Sequence, residues 1–166
     1  MSSTLTRLAS GVAALTAAVT FPVVTASPAA AEDSVQLQTG PKKCLEIKDG
    51  SSEDNAPLQQ NSCSGEDWQR FTFEKSASGY EIKTFAGKCL MLGGQGRREG
   101  SPIVQNPCDK PSFHKDFRLH AQGDLVAIAL YGFFLQVKDY STLNGAPVVL
   151  ERPAIDGSVQ IFKRVK

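Results

Sequence analysis

The chain has little of what enzymes and metal centres are built from. It holds two histidines in 166 residues, His114 and His120, and neither sits in an HExxH or nucleophile-elbow pattern. Its four cysteines form no CxxC pair and have no histidine pair nearby, so no tetrahedral metal set is written here. The glycine run at 93–96 lacks the GK[ST] ending of a phosphate loop. Acidic pairs such as Glu53-Asp54 and Glu66-Asp67 fall in turns, whereas a glycosidase needs two carboxylates facing one cleft. These absences exclude the common catalytic classes, and the sequence is expected to need no cofactor and to be no enzyme.

Two further things are scarce. Net charge is +1, from 18 basic and 17 acidic residues, with no basic stripe interleaved with aromatics, so nucleic acid is not an expected partner. Helical periodicity is missing too: no window of a dozen residues keeps it without a Gly or Pro, and Leu125–Gln136, which comes nearest, is in register with two strand regions and is expected to be strand.

The N-terminus carries its own signal. Arg7 is the only charge before Glu32, Leu8 to Val24 is largely small and apolar, and Ala29 and Ala31 stand where a signal peptidase reads. This composition predicts a secretory signal peptide over residues 1–31; Ser10, Gly11 and Pro22 break the run and argue against a membrane anchor. The exported chain, 32–166, is then one secreted domain with no membrane association after processing.

What is present is repetition. KCLEIKDGSSEDNAPLQQNSC (43–63) returns forty-five residues on as KCLMLGGQGRREGSPIVQNPC (88–108), and again as FFLQVKDYSTLNGAPVVLERP (133–153). Cys44, Cys89 and Phe134 coincide, as do Leu45, Leu90 and Leu135, then Ile47, Leu92 and Val137, and Pro57, Pro102 and Pro147. Such self-similarity marks units that cannot close a core singly. Three repeats follow, at about 35–79, 80–124 and 125–166. In an exported chain the cysteines are expected to pair, and the register selects Cys44–Cys63 and Cys89–Cys108 from three possible connectivities. Each closure is worth on the order of 3 kcal/mol. The third repeat has Phe134 and Pro153 at those places and is expected to hold its ends by apolar packing.

Strands are predicted around Val35–Leu37, Leu45–Ile47, Phe71–Phe73, Tyr80–Ile82, Leu90–Leu92, Phe117–Leu119, Leu135–Val137 and Ile161, separated by clusters rich in Gly, Ser, Asn and Asp. The class is all-β. CLEI and CLML before a turn, then APLQ or SPIV, a cysteine, and Gln-x-aromatic (Gln69-Arg-Phe71, Gln160-Ile-Phe162, altered to Lys115-Asp-Phe117) resemble the ricin B-type lectin family. The resemblance covers the whole exported chain and implies a β-trefoil with Phe71, Phe117 and Phe162 in its core. It departs in having Phe where that family usually has Trp.

The resemblance also implies where a saccharide would sit, residue by residue. In the first repeat Glu46 takes the place of the hydroxyl-gripping acid and Gln59 keeps its place. Asn61 replaces the stacking aromatic, and Trp68 precedes Gln69 where an Asn is usual. Trp68 reads either as a displaced platform or as filler beside Cys63, the second being the commoner use of Trp. The second repeat offers Met91, Val104, Asn106 and His114, with no charge to hold a hydroxyl. The third offers Gln136, Val149, Glu151 and Val159, with Asp139, Tyr140 and Asn144 in its turn. The expected function is weak saccharide or polysaccharide binding, on the order of millimolar or about −4 kcal/mol, chiefly through Glu46, Gln59, Asn61, Trp68 and Gln69. The alternative is a trefoil that binds a protein partner, as a protease inhibitor or surface module, through the Arg-bearing loop 93–100.

Overall fold

The computed structural model describes residues 33–94, 96–111, 114–155 and 158–166. The segment 1–31, predicted to be a signal peptide, lies outside the described residues. Short runs of β-branched and aromatic residues, each ended by Gly, Asn or Asp turns, give twelve strands among the described residues. They are β1 (Val35–Gln38), β2 (Lys43–Ile47), β3 (Leu58–Ser62), β4 (Arg70–Lys75), β5 (Tyr80–Thr84), β6 (Cys89–Leu92), β7 (Ile103–Asn106), β8 (Arg118–Gln122), β9 (Leu125–Leu130), β10 (Phe133–Val137), β11 (Ala146–Glu151) and β12 (Ile161–Val165).

Three strands lie where the sequence pattern had marked none: β3, β7 and β11. β3 and β7 each follow a proline that ends the preceding turn, β11 carries its proline, Pro147, as its second residue, and each pairs in a hairpin with the strand before it. The registers correspond, with Cys44 opposite Asn61, Cys89 opposite Asn106 and Phe134 opposite Glu151. Those prolines then join the hairpins in a ring. Pro57 pairs with Val104, Pro102 with Val149 and Pro147 with Gln59. The ring closes through β12, which pairs with both β1 and β9. The result is an all-β trefoil.

Its core is built by residues of like position. Phe71, Phe117 and Phe162 are wholly buried with Leu45, Leu90 and Leu135, and burying each such side chain is worth about 1.5–3 kcal/mol. Phe117 falls one residue before β8 and is fixed by a bridge to Tyr80, so the predicted strand at 117–119 begins one residue late.

Buried glutamines tie the long turns down. Gln60 Nε2 donates to the carbonyls of Ser141 (2.6 Å) and Leu143 (3.0 Å), and Gln105 Nε2 to those of Ser51 (2.8 Å) and Glu53 (3.0 Å). Disulfides join Cys44 to Cys63 and Cys89 to Cys108. The third unit closes differently from expectation. Pro153 is exposed and Phe134 leans on His120, with ring centroids 5.7 Å apart. An amide latch does the closing: Gln160 Nε2 donates to Arg152 O (2.6 Å) while Gln160 Oε1 accepts from Ala154 N (3.0 Å). No helix among the described residues is long and apolar enough to cross a membrane.

Candidate functional site

In the first unit, the hairpin register places Glu46 on β2 directly opposite Gln59 on β3, with Asn61 diagonal to it. Gln69 arrives from the 3-10 turn Asp67–Gln69. The three amides converge on the Glu46 carboxylate. Oε1 accepts from Gln59 Nε2 and Asn61 Nδ2, both at 2.8 Å, and Oε2 accepts from Gln69 Nε2 at 2.9 Å. Gln69 is held in turn by Ser62 O and Ser64 N, each at 2.9 Å. A carboxylate has about four acceptor positions; three are taken here, and Glu46 is only 3% exposed. The acid therefore closes largely on its own amides, and one acceptor position is left.

Trp68 is half-buried, and its ring lies against Gly50 in the turn after β2. A Cβ at Gly50 would stand 3.0 Å from the indole Cδ2 and Cε3. One side of the ring is thus occupied by the protein's own backbone at Gly50.

In the second unit the hairpin places corresponding to Glu46 and Gln59 are apolar. Met91, Val104 and Cys89 form a small buried apolar cluster. At the position of Gln69 stands Lys115, buried, with Nζ 2.5 Å from Glu81 Oε1 and also donating to Cys108 O. A buried cation needs such a partner, and the pair plugs the place where an amide would have stood.

The third unit differs from both. An open cavity of about 660 Å³ lies over β10 and the end of β11, lined by Gln136, Tyr140, Glu151, Arg152, Ile155 and Val159, with Glu99 entering from the second unit. Gln136 and Glu151 occupy the hairpin places that Glu46 and Asn61 fill in the first unit. Tyr140 is 62% exposed and has φ +54°, next to Asp139 at φ +53°. Left-handed backbone at a bulky residue is a strained state that persists only where surroundings impose it. Here the Gln60 amide supplies that constraint, gripping the same turn at Ser141 and Leu143. Val159 stands where the first unit has Trp68, so no indole covers the turn and the tyrosine is free to project.

Glu151 is held above the ordinary carboxyl range, first by burial, then by a hydrogen bond with Glu99 and its charge, and by Asp139, against a weaker opposing effect of Lys138. Glu99 belongs to the 93–100 loop, and its carboxylate pairs with Arg152 Nε at 3.1 Å. Two residues earlier, the Arg97 guanidinium lies 4.1 Å above the Tyr131 ring. The loop considered for a protein partner is therefore pinned at two points, one of them on the rim of this cavity.

The sequence pattern led to Glu46, Gln59, Asn61 and Gln69, which the fold brings together, and to Trp68, which it turns onto Gly50. It passed over Glu99 and the buried Gln60. The period held a signal for the latter, since Gln60 and Gln105 coincide at forty-five residues and the third unit has Leu150.

The model of the ricin-type beta-trefoil lectin domain matches residues 33–162, and the chain belongs to that family. Among solved structures it is similar to ThreeFoil, a designed threefold-symmetric protein, at 23% identity and TM-score 0.73, covering 80% of this chain and 98% of that one. It is similar to the ricin B-like lectin of Macrolepiota procera in complex with lactose at 12% identity and TM-score 0.68, covering 84% and 99%. An exo-beta-1,3-galactanase from Clostridium thermocellum carries the same fold over 30% of its length, at 20% identity, 80% coverage of this chain and TM-score 0.72. No curated protein sequence matches the chain.

Proposed function

We propose that this protein is an exported, non-enzymatic carbohydrate-binding module that holds a saccharide weakly in the third-unit cavity. The observation that carries the reading is Tyr140, an exposed ring held in left-handed backbone beside a cavity that also offers an amide and a carboxylate. A sugar ring has one C–H face and a belt of hydroxyls. Tyr140 supplies the apolar face, Gln136 a donor and Glu151 an acceptor, which is a sufficient set for one residue of a glycan. Family membership and the lactose complex of the mushroom lectin support the ligand class. The two disulfides accord with an oxidising compartment. Affinity is on the order of millimolar, as for one sugar residue held by one ring and two polar groups without avidity.

A second reading places the sugar at the first unit, and the convergence of Glu46, Gln59, Asn61 and Gln69 favours it. One experiment separates the two. The oxidised protein is screened on a glycan and polysaccharide array beside Tyr140→Ala, Tyr140→Phe and Asn61→Ala. The third-unit site requires Tyr140→Ala to weaken binding by about tenfold, near 1.4 kcal/mol, and Tyr140→Phe to retain it. Unchanged binding by Tyr140→Ala, with stronger binding by Asn61→Ala, assigns the sugar to Glu46 instead.

A further inference from the structure

We propose that a second, separate binding site lies at the junction of the second and third units and takes an uncharged sugar residue through one buried hydroxyl. An open cavity of about 530 Å³ lies there, lined by Asp116, Arg118 and His120 at β8 and by Tyr131 and Phe134 at the β9–β10 turn. Two of these side chains end in buried atoms with no hydrogen-bond partner among the described residues: Asp116 Oδ1 and the Tyr131 hydroxyl. Asp116 Oδ2 accepts from Ser78 Oγ, so the carboxylate is anchored while its other oxygen is left over. Buried polar atoms without partners are costly. The fold does not ask for this pair. At the two corresponding junctions Asp116 and Tyr131 are replaced by Arg70 with Ala86 and by Ile161 with Pro41. Tyr131 also stands at φ +58°, before Gly132 at +81°, in a two-residue hairpin turn that favours Asn-Gly. Its ring packs on the core and lies 4.1 Å from the Arg97 guanidinium. A phenylalanine ring would do the same, so that packing does not account for the hydroxyl.

The two atoms define the ligand. A carboxylate oxygen only accepts, whereas a phenol both donates and accepts. One ligand hydroxyl therefore satisfies both, donating to Asp116 Oδ1 and accepting from Tyr131. Burial holds Tyr131 above the ordinary phenol range, with Arg97 opposing and Asp116 assisting, so the phenol keeps its proton as donor. Charge on the ligand is selected against: a cation meets Arg118 and Arg97, and an anion meets Asp116. Phe134, with Ala129 opposite it in the β9–β10 register, gives the C–H face of a sugar ring its floor. Both unpaired atoms lie below the protein surface, and Arg118 and His120 are exposed members of the lining. Rotation of those two side chains admits the hydroxyl.

The test is a sugar titration of the isotope-labelled, oxidised protein, followed by its NMR signals near neutral pH. The probes are the methyl glycosides of galactose, glucose and mannose, with glucosamine and galacturonate as charged comparisons. At least one methyl glycoside is expected to shift Tyr131 and Gly132, and to bind at least about fivefold more tightly than either charged sugar. Tyr131→Phe should weaken that binding about tenfold. Without sugar the same variant should unfold at no lower temperature than wild type, because the hydroxyl it removes makes no bond within the fold. Signals around Tyr140 report the third-unit cavity in the same titration, so the two sites fail or stand separately. Silence at Tyr131 and Gly132 with every glycoside, equal binding of a charged sugar, or binding that Tyr131→Phe leaves intact overturns the proposal. A lowered unfolding temperature in Tyr131→Phe also overturns it, by assigning the hydroxyl to the fold.

Discussion

Replacing Glu46 by alanine is predicted to be a large stability defect, and the size follows from three distances. The carboxylate receives amides from Gln59 and Asn61 at 2.8 Å and from Gln69 at 2.9 Å, all inside the protein. Hydrogen bonds to a charged group are worth about 1.5–3 kcal/mol each, and a buried donor left unpaired costs about 1–3 kcal/mol. These do not add. Asn61 is half-buried and can turn to water, whereas Gln59 and Gln69 are buried and cannot. The net cost is about 3–4 kcal/mol, which for a domain of this size lowers Tm by roughly 10–15 °C. Glu46→Gln keeps the shape but presents an NH2 to amide donors, and should lose about 2 kcal/mol. Thermal and urea unfolding with the disulfides intact, followed by far-UV circular dichroism, measures both. A Glu46→Ala protein within about 1 kcal/mol of wild type would refute the reasoning. If that protein had also lost sugar binding, the carboxylate would be a ligand group and not a structural one.

Two further predictions test neighbouring parts of the same argument. Gly50→Ala sets a methyl 3.0 Å from the Trp68 ring at φ +62° and should cost about 1–2 kcal/mol, read from the urea midpoint; no loss would mean the indole does not rest there. Glu151 is held above its ordinary range, so the folded chain binds its proton more tightly than the unfolded one. The sign is then fixed: its contribution favours the fold on the acid side and is lost as pH rises through the raised value. Glu151→Gln should flatten that part of the stability profile and be the more stable protein at neutral pH, and parallel wild-type and variant profiles would contradict the assignment.

The fold was legible because its evidence is redundant. The coincidence of Leu45 with Leu90 and Leu135, and of three prolines, survives any single substitution, and the cysteine spacing repeats it. The hairpin partners β3, β7 and β11 were harder to see. QQNS and IVQN carry buried glutamine and asparagine, which read as turn or surface until their cross-unit partners are known. The site was less legible for a different reason. Sequence register says which residues share a hairpin face, and so led to Glu46, Gln59, Asn61 and Gln69. It cannot say whether a carboxylate meets its neighbours or a ligand. Nor does it carry contacts between units, and Glu99 reaches Glu151 from fifty-two positions away.

The exchange of aromatic positions between the first and third units explains why two hairpins of one design do different things. In the first, a glycine at position 50 leaves room for the Trp68 ring to lie on the turn, and the acid behind it is sealed by amides. In the third, a small Val159 replaces that indole, and the ring moves to Tyr140, at the turn place where the first unit has Gly50. Glycine accepts left-handed backbone at no steric cost, whereas a tyrosine there is strained by on the order of 1–3 kcal/mol. The core gains nothing from a ring that is 62% exposed. Strain maintained for an outward-facing ring, beside a carboxyl held above its normal range, is consistent with a surface shaped for something that arrives from solution.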